Sequence, residues 1–266
     1  MAHGAVCGTR LVLGKHVATY RRCGECGYVW VEAPHWLEEA YSHAIAALDT
    51  GIVVRNLWLA DACCALLGTS LRGVQRLLDF GGGTGLLVRM LRDRGHDARW
   101  LDAYCENQLA PGFEARAGDT YDLVTAFELV EHLPDPMPVF RRLHALAPRI
   151  LIATELQPED PACLMDWWYL APEAGQHIGF FTRRSLERVA EQLGLVLSSN
   201  GRNLHILAPA AVSETWLGML RKPAMARRWA WLGRRKALTH RDADEMLRAL
   251  QAGRAVSQTS SNDSFN

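Results

Sequence analysis

At 266 residues, with 49% hydrophobic and 22% charged residues and a formal net charge of +0, the chain has room for a full α/β core and one or two small appendages. Balanced charge removes any global pull toward nucleic acid or an anionic membrane, and no apolar run approaches the roughly 18 residues of a membrane span. Met1-Ala2-His3-Gly4 lacks the basic and apolar regions of a secretion signal, and seven cysteines, with Cys63 and Cys64 adjacent, suit a reducing compartment; the expectation is a cytoplasmic protein.

Four segments follow in chain order. Residues 1–34 are Cys-bearing and β-like, with alternation in Tyr28-Val29-Trp30-Val31. Residues 35–70 read as two helices broken near Asp49-Thr50-Gly51, the second with apolar spacing through Ile52, Trp58, Leu59, Leu66 and Leu67, and are expected to cap the ligand site. Residues 71–210 alternate strand and helix. Strands are predicted at Arg76–Phe80, Ala98–Leu101, Tyr121–Phe127 and Arg149–Thr154, with helices at Leu86–Arg94 and Pro138–Leu146. Thr182 caps a further helix that closes near Gly194, and Asn200-Gly201 between two apolar runs predicts a closing hairpin. Residues 211–266 read as a helical tail with a disordered end from Ser257. Its Arg/Lys-rich stretch Arg221–Arg241 is expected to be a solvated face, the alternative being a homo-oligomer contact.

Asp79-Phe80-Gly81-Gly82-Gly83-Thr84-Gly85 ends a strand and opens a helix. Glycines let the chain turn sharply and let a ligand approach the backbone, and the exposed amides suit polar, electron-rich groups. The dinucleotide pattern Gly-x-Gly-x-x-Gly fails because Leu86 stands where its last glycine belongs, and the Walker lysine is absent. Asp102, 23 residues after Asp79 at the end of the second strand, is placed to accept both hydroxyl protons of a ribose; the alternative is a surface-loop aspartate.

Leu77 to Gly85 resembles the first motif of class I S-adenosylmethionine-dependent methyltransferases. Asp119-Thr120-Tyr121-Asp122-Leu123-Val124-Thr125-Ala126-Phe127-Glu128-Leu129-Val130-Glu131-His132-Leu133 is similar to the fourth-strand motif of their ubiquinone-biosynthesis-like branch. Asp166-Trp167-Trp168-Tyr169, Gln176-His177-Ile178 and Phe180-Phe181-Thr182 resemble its downstream pattern, so the likeness spans about residues 75–208. It implies a Rossmann-like sheet of parallel strands closed by an antiparallel hairpin. It also implies S-adenosyl-L-methionine bound by Asp79, Gly81, Gly82, Gly83, Gly85 and Asp102, with Phe127 and Glu128 at the methyl end. The short Pro111-Gly112 stretch between Asp102 and Asp119 departs from the family, so the third strand is reduced and no adenine-contacting acid is identified.

A sulfonium already activates its methyl, so the protein must align an acceptor, exclude water and, for a hydroxyl or acidic carbon, take a proton. The candidates are His177, His132, Glu128 and Glu131. His177, between Gly175 and Gly179 and flanked by Trp167-Trp168-Tyr169 and Phe180-Phe181, resembles the histidine of ketosugar C-methyltransferases and is expected to be the acceptor-side base or orienter. His132 divides between an active-site role and bracing its loop. Phe127-Glu128-Leu129-Val130 replaces the Asp/Asn-Pro-Pro-Tyr/Phe text of nucleic-acid amine methylation, which favours a small hydroxylated metabolite, sugar or lipid precursor as acceptor, by O- or C-methylation. A non-catalytic binder of the cofactor and a nicotinamide oxidoreductase are the rival functions.

Cys23-Gly24-Glu25-Cys26-Gly27 has zinc-knuckle spacing. Cys7-Gly8 resembles half of a second knuckle, with Gly4 where its partner cysteine belongs. The expected Zn2+ ligands are Cys7, Cys23 and Cys26, with His3 or His16 as the fourth, against a metal-free remnant.

Overall fold

The computed structural model describes residues 4–42 and 48–262. An antiparallel hairpin, β1 (Ala5–Val12) and β2 (His16–Arg22), leads into β3 (Val29–Val31), then α1 (Leu37–Ala40) and α2 (Ile52–Leu67). Strand and helix next alternate as β4 (Arg76–Phe80), α3 (Leu86–Asp93), β5 (Asp97–Leu101), β6 (Leu123–Phe127), α4 (Pro136–Leu146) and β7 (Ile150–Ala153). After β8 (Gly179–Phe180) come α5 (Arg183–Leu193), β9 (Val196–Ser199) and β10 (His205–Ala208), and then α6 (Glu214–Leu220), α7 (Pro223–Trp229) and α8 (Thr239–Asn262).

The larger sheet has the order β5-β4-β6-β7-β10-β9; its first four strands are parallel, and β10 is antiparallel to both β7 and β9. This is the Rossmann-like sheet with a closing hairpin that the resemblance implies. Its strands are apolar on both faces because both faces are covered. Leu77, Leu123, Leu151 and Ile206 pack with Leu66 of α2 and Leu91 of α3, whereas Leu78, Val124, Ile150, Ile152 and Leu207 pack with Phe140 of α4 and Leu186 of α5. Neighbouring strand residues thus face opposite layers, as a period of two requires.

The third strand survives only as a single parallel bridge, Trp100 to Glu114, as the short Asp102–Asp119 stretch implies. Thr182 caps α5 through its hydroxyl and a capping box with Ser185, and Gly194 ends the helix in the left-handed region. The turn between β9 and β10 is longer than a two-residue hairpin. Asn200 Oδ1 accepts from the backbone N–H groups of Arg202, Asn203 and Leu204 and organises it.

Two expectations need correction. The 35–70 segment is not simply a cap: Leu59 to Leu67 of α2 are buried in the core layer, and only the first turn reaches the sheet's C-terminal edge, through Arg55. The first 34 residues are not a separate module either, because β1, β2 and β3 form a second sheet completed by β8, with Val29 opposite Phe180. The tail folds back on its own core: Leu217, Leu220, Ala226 and Ala230 are buried, and Arg92 of α3, fully buried, is clamped by both carboxylate oxygens of Asp242 in α8 at 2.8 Å. Helix α8 is assigned through Asn262, and residues 263–266 lie outside the described residues. Among the described residues no helix is long and apolar enough to cross a membrane.

Candidate active site

The glycine turn leaves β4 and enters α3 at the C-terminal edge of the parallel strands, where open α/β sheets bind ligands. Gly81, Gly83 and Gly85 have φ of +74°, +53° and +86°, which only glycine adopts without cost. At Gly81 a Cβ would stand 3.0 Å from Leu129, whereas at Gly83 it would project into open space. Sterics inside the protein therefore explain Gly81, while Gly83 keeps open a surface that a ligand can approach. Asp102 Oδ2 accepts the Gly83 N–H at 2.9 Å, and Oδ1 accepts from Tyr104 and Cys105. Asp79 lies beneath, nearly buried, its Oδ1 accepting the Thr125 hydroxyl at 2.7 Å. Burial pushes the Asp79 carboxyl up to about 7; Thr125 offsets part of that rise and the Asp102 charge adds to it. The Gly81 and Gly82 N–H groups bond the Leu101 carbonyl and the Gly85 N–H bonds the Gly82 carbonyl, so what the turn offers a nucleoside-bearing cation such as S-adenosyl-L-methionine is the open crest at Gly83 with the Asp102 carboxylate beside it.

Across the sheet edge from this turn, Leu129 touches Gly81 and begins a compact polar cluster. Glu128, directly after Phe127 of β6, has φ +50°, a left-handed conformation that a non-glycine residue holds at a cost of about 1 kcal/mol or more. Burial, with the neighbouring Glu131, raises its carboxyl to about 8, and Arg55, 3.6 Å away, holds it back. Glu131 is fully buried; the Tyr169 hydroxyl donates to its Oε1, and Oε2 has no partner. His132 Nδ1 lies 3.0 Å from the Gln176 carbonyl and 2.9 Å from the Tyr41 hydroxyl, and burial holds the ring neutral, its pKa lowered to about 4. His177 Nδ1 donates to the Tyr169 carbonyl at 2.6 Å, which fixes the orientation of the ring. The two rings meet edge to face at 4.9 Å, and the Ile178 N–H bonds the Glu131 carbonyl at 2.9 Å, zipping the two loops together. The expected residues Glu128, Glu131, His132 and His177 are thus brought to one place.

A family profile described as a methyltransferase domain matches residues 55–200, more than half of the chain. The chain belongs to that family. Among relatives of this methyltransferase, the ubiquinone biosynthesis O-methyltransferase of Aeromonas salmonicida (strain A449) is 30% identical over 123 residues, covering 38% of this chain and 49% of that protein. The chain therefore spans about half the length of the curated relative it matches. Among solved structures, TnmH is 20% identical with a TM-score of 0.47, covering 66% of this chain and 61% of that one. The 1,6-didemethyltoxoflavin-N1-methyltransferase of Burkholderia thailandensis, with bound 1,6-didemethyltoxoflavin and S-adenosylhomocysteine, is 16% identical with a TM-score of 0.46, covering 71% and 93%.

Tyr41, Arg55 and Tyr169 join the candidate site without having been singled out as functional in the sequence. Tyr41 and Arg55 come from the N-terminal helices and carry no motif; Tyr169 sits in the aromatic stretch, and only the fold shows that its hydroxyl and carbonyl serve two different partners. The cysteine module fares differently. Cys7, Cys23 and Cys26 line one cavity of about 460 Å3 together with Arg22 and Arg184. Cys7 donates its thiol to the Tyr20 carbonyl at 3.4 Å, and burial raises the thiols of Cys7 and Cys26. Among the described residues, the trio of metal-ligating side chains with ligand atoms all within 4.8 Å of one another is Glu131, His132 and His177, not the cysteines. His16 sits at the far end of the β1–β2 hairpin, paired with Glu39 and His35, and His3 lies outside the described residues. Zinc at Cys7, Cys23 and Cys26 is therefore not supported, because these three do not bring their thiols into a ligand cluster as Glu131, His132 and His177 do.

Proposed function

We propose that this methyltransferase moves the methyl group of S-adenosyl-L-methionine onto an oxygen of a small hydroxylated metabolite. The observation that carries the proposal is the pairing of two poles on one sheet edge: the open glycine turn with Asp102, and the cluster of Glu128, His132 and His177 joined to it through Leu129. When bound, the cofactor supplies a methyl already activated by its sulfonium. His177, held through Nδ1 by the Tyr169 carbonyl, orients the acceptor side of the site. Glu128 takes the hydroxyl proton as the oxygen lone pair forms the new C–O bond and the C–S pair stays on sulfur. A carboxyl raised to about 8 is basic enough for this task. The chemistry of the Aeromonas relative, an O-methyltransferase by name, supports oxygen over carbon.

The test is to incubate the protein with methyl-labelled cofactor and a fractionated metabolite extract, and to follow label by mass spectrometry. Label on an oxygen is expected. Cofactor binding with no labelled product from any fraction would favour the rival reading of a non-catalytic binder.

A further inference from the structure

Glu131, His132 and His177 share a geometry that proton transfer alone does not require. A carboxylate oxygen of Glu131 and one ring nitrogen of each histidine lie within 4.8 Å of one another. Each group is also oriented from behind. Tyr169 holds Glu131 by its hydroxyl and His177 by its carbonyl, while the Gln176 carbonyl and Tyr41 hydroxyl hold His132 Nδ1. Among the described residues these partners occupy Oε1 and both Nδ1 atoms, and Glu131 Oε2 and the two Nε2 atoms are left for a further ligand. Oε2 is fully buried with no hydrogen-bond partner, a state that costs on the order of several kcal/mol for a carboxylate oxygen unless something pairs with it.

We propose that Glu131, His132 and His177 form a binding site for a divalent first-row transition-metal ion. Backbone carbonyls or hydroxyls behind each ligating group are the support that metal sites use to fix ring orientation and tautomer. Two neutral imidazoles and one carboxylate suit ions of the zinc, iron, manganese and cobalt group better than magnesium or calcium, which prefer oxygen. Three protein ligands leave a coordination position open. Because the trio adjoins Glu128, an acceptor oxygen in that position would be seated beside the group that takes its proton. The role in seating the acceptor rests on the proposed methyl transfer; the binding itself does not.

The experiment is calorimetric titration of the full chain, stripped with chelator, with Co2+, alongside absorption spectroscopy of the bound ion. One Co2+ per chain is expected. His177→Ala and Glu131→Gln should each weaken it at least tenfold, Tyr169→Phe about tenfold as a supporting group, and Cys23→Ser not at all. Failure of the wild type to bind Co2+, or undiminished binding by both His177→Ala and Glu131→Gln, would overturn the site. Should His177→Ala fail to fold, Glu131→Gln, nearly isosteric and able to keep the Tyr169 contact, decides alone. S-adenosyl-L-methionine binding, titrated on the same preparations, should be unaffected by these changes. Its loss in a wild type that still takes Co2+ would count against the methyl-transfer reading and leave the metal site standing.

Discussion

Two glycines two residues apart in the turn do different jobs. Gly81 is constrained by its own protein, since a Cβ there would press on Leu129 at 3.0 Å and its φ is +74°; Gly83 is constrained by nothing inside it except its φ of +53°. Gly83→Ala should therefore cost only about 1–2 kcal/mol of stability, yet weaken S-adenosyl-L-methionine binding by tenfold or more, because the methyl intrudes on the ligand's approach. Calorimetry and a thermal melt on one sample check both halves, and unchanged cofactor affinity would remove Gly83 from the site. At the opposite pole, kcat should rise as pH passes through about 8 and Glu128 becomes a carboxylate. Glu128→Gln should lower kcat by about 100-fold or more and flatten that limb of the profile. A variant that keeps both rate and pH dependence would show that the proton goes elsewhere.

At the scale of elements, much of the architecture is legible because each parallel strand is a short apolar run ended by a turn residue, and Thr182, Gly194 and Asn200 carry their own punctuation. The cofactor turn is legible for the same reason, since its residues are contiguous. The acceptor pole was readable only in part. Glu128, Glu131 and His132 share one motif, but Tyr41 and Arg55 reach them from helices whose local pattern reports only burial. The cysteine spacing records a turn's geometry and not what faces it; Arg22 and Arg184 share the knuckle's cavity, and the Cys7 thiol is spent on the Tyr20 carbonyl. The tail shows the same limit. Its arginines read as a solvated face, while the contact that pins α8 is Asp242 on the buried Arg92 of α3. Asp242→Asn leaves that guanidinium short of a charge and should destabilise the protein by about 3 kcal/mol. A denaturant midpoint within about 0.5 kcal/mol of wild type would mean that Asp97, the other carboxylate on Arg92, suffices.

For the molecule as a whole, two fully buried histidines set an acid limit. His205, between Ser199 and the Thr154 carbonyl and near Arg183 and Glu214, is held neutral by burial with its pKa lowered to about 4; His96, near Arg235 and Arg94, is lowered likewise. In the unfolded chain both take up protons near pH 6.5, so the unfolded state binds more protons between about 6.5 and 4 and stability drains away as pH falls through that window. Asp79 and Glu128, with carboxyls raised to about 7 and about 8, act in the opposite sense over the same range. The histidine effect, on the order of 2–3 kcal/mol each, is therefore read by comparing the melting temperatures of wild type and His205→Gln from pH 7 to 4; a variant with the pH dependence of wild type would show that the ring does not stay neutral in the fold. The pairing of Val29 with Phe180 has a consequence in time. During synthesis the β1–β2 hairpin emerges ahead of the large sheet, but the strand that completes its own sheet is made some 150 residues later, after most of the large sheet has left the ribosome. The loop bearing His177 thus reaches its place only when the earliest and some of the latest parts of the fold meet, a contact of high sequence separation and slow formation. Cofactor binding should therefore appear before acceptor turnover in a refolding time course.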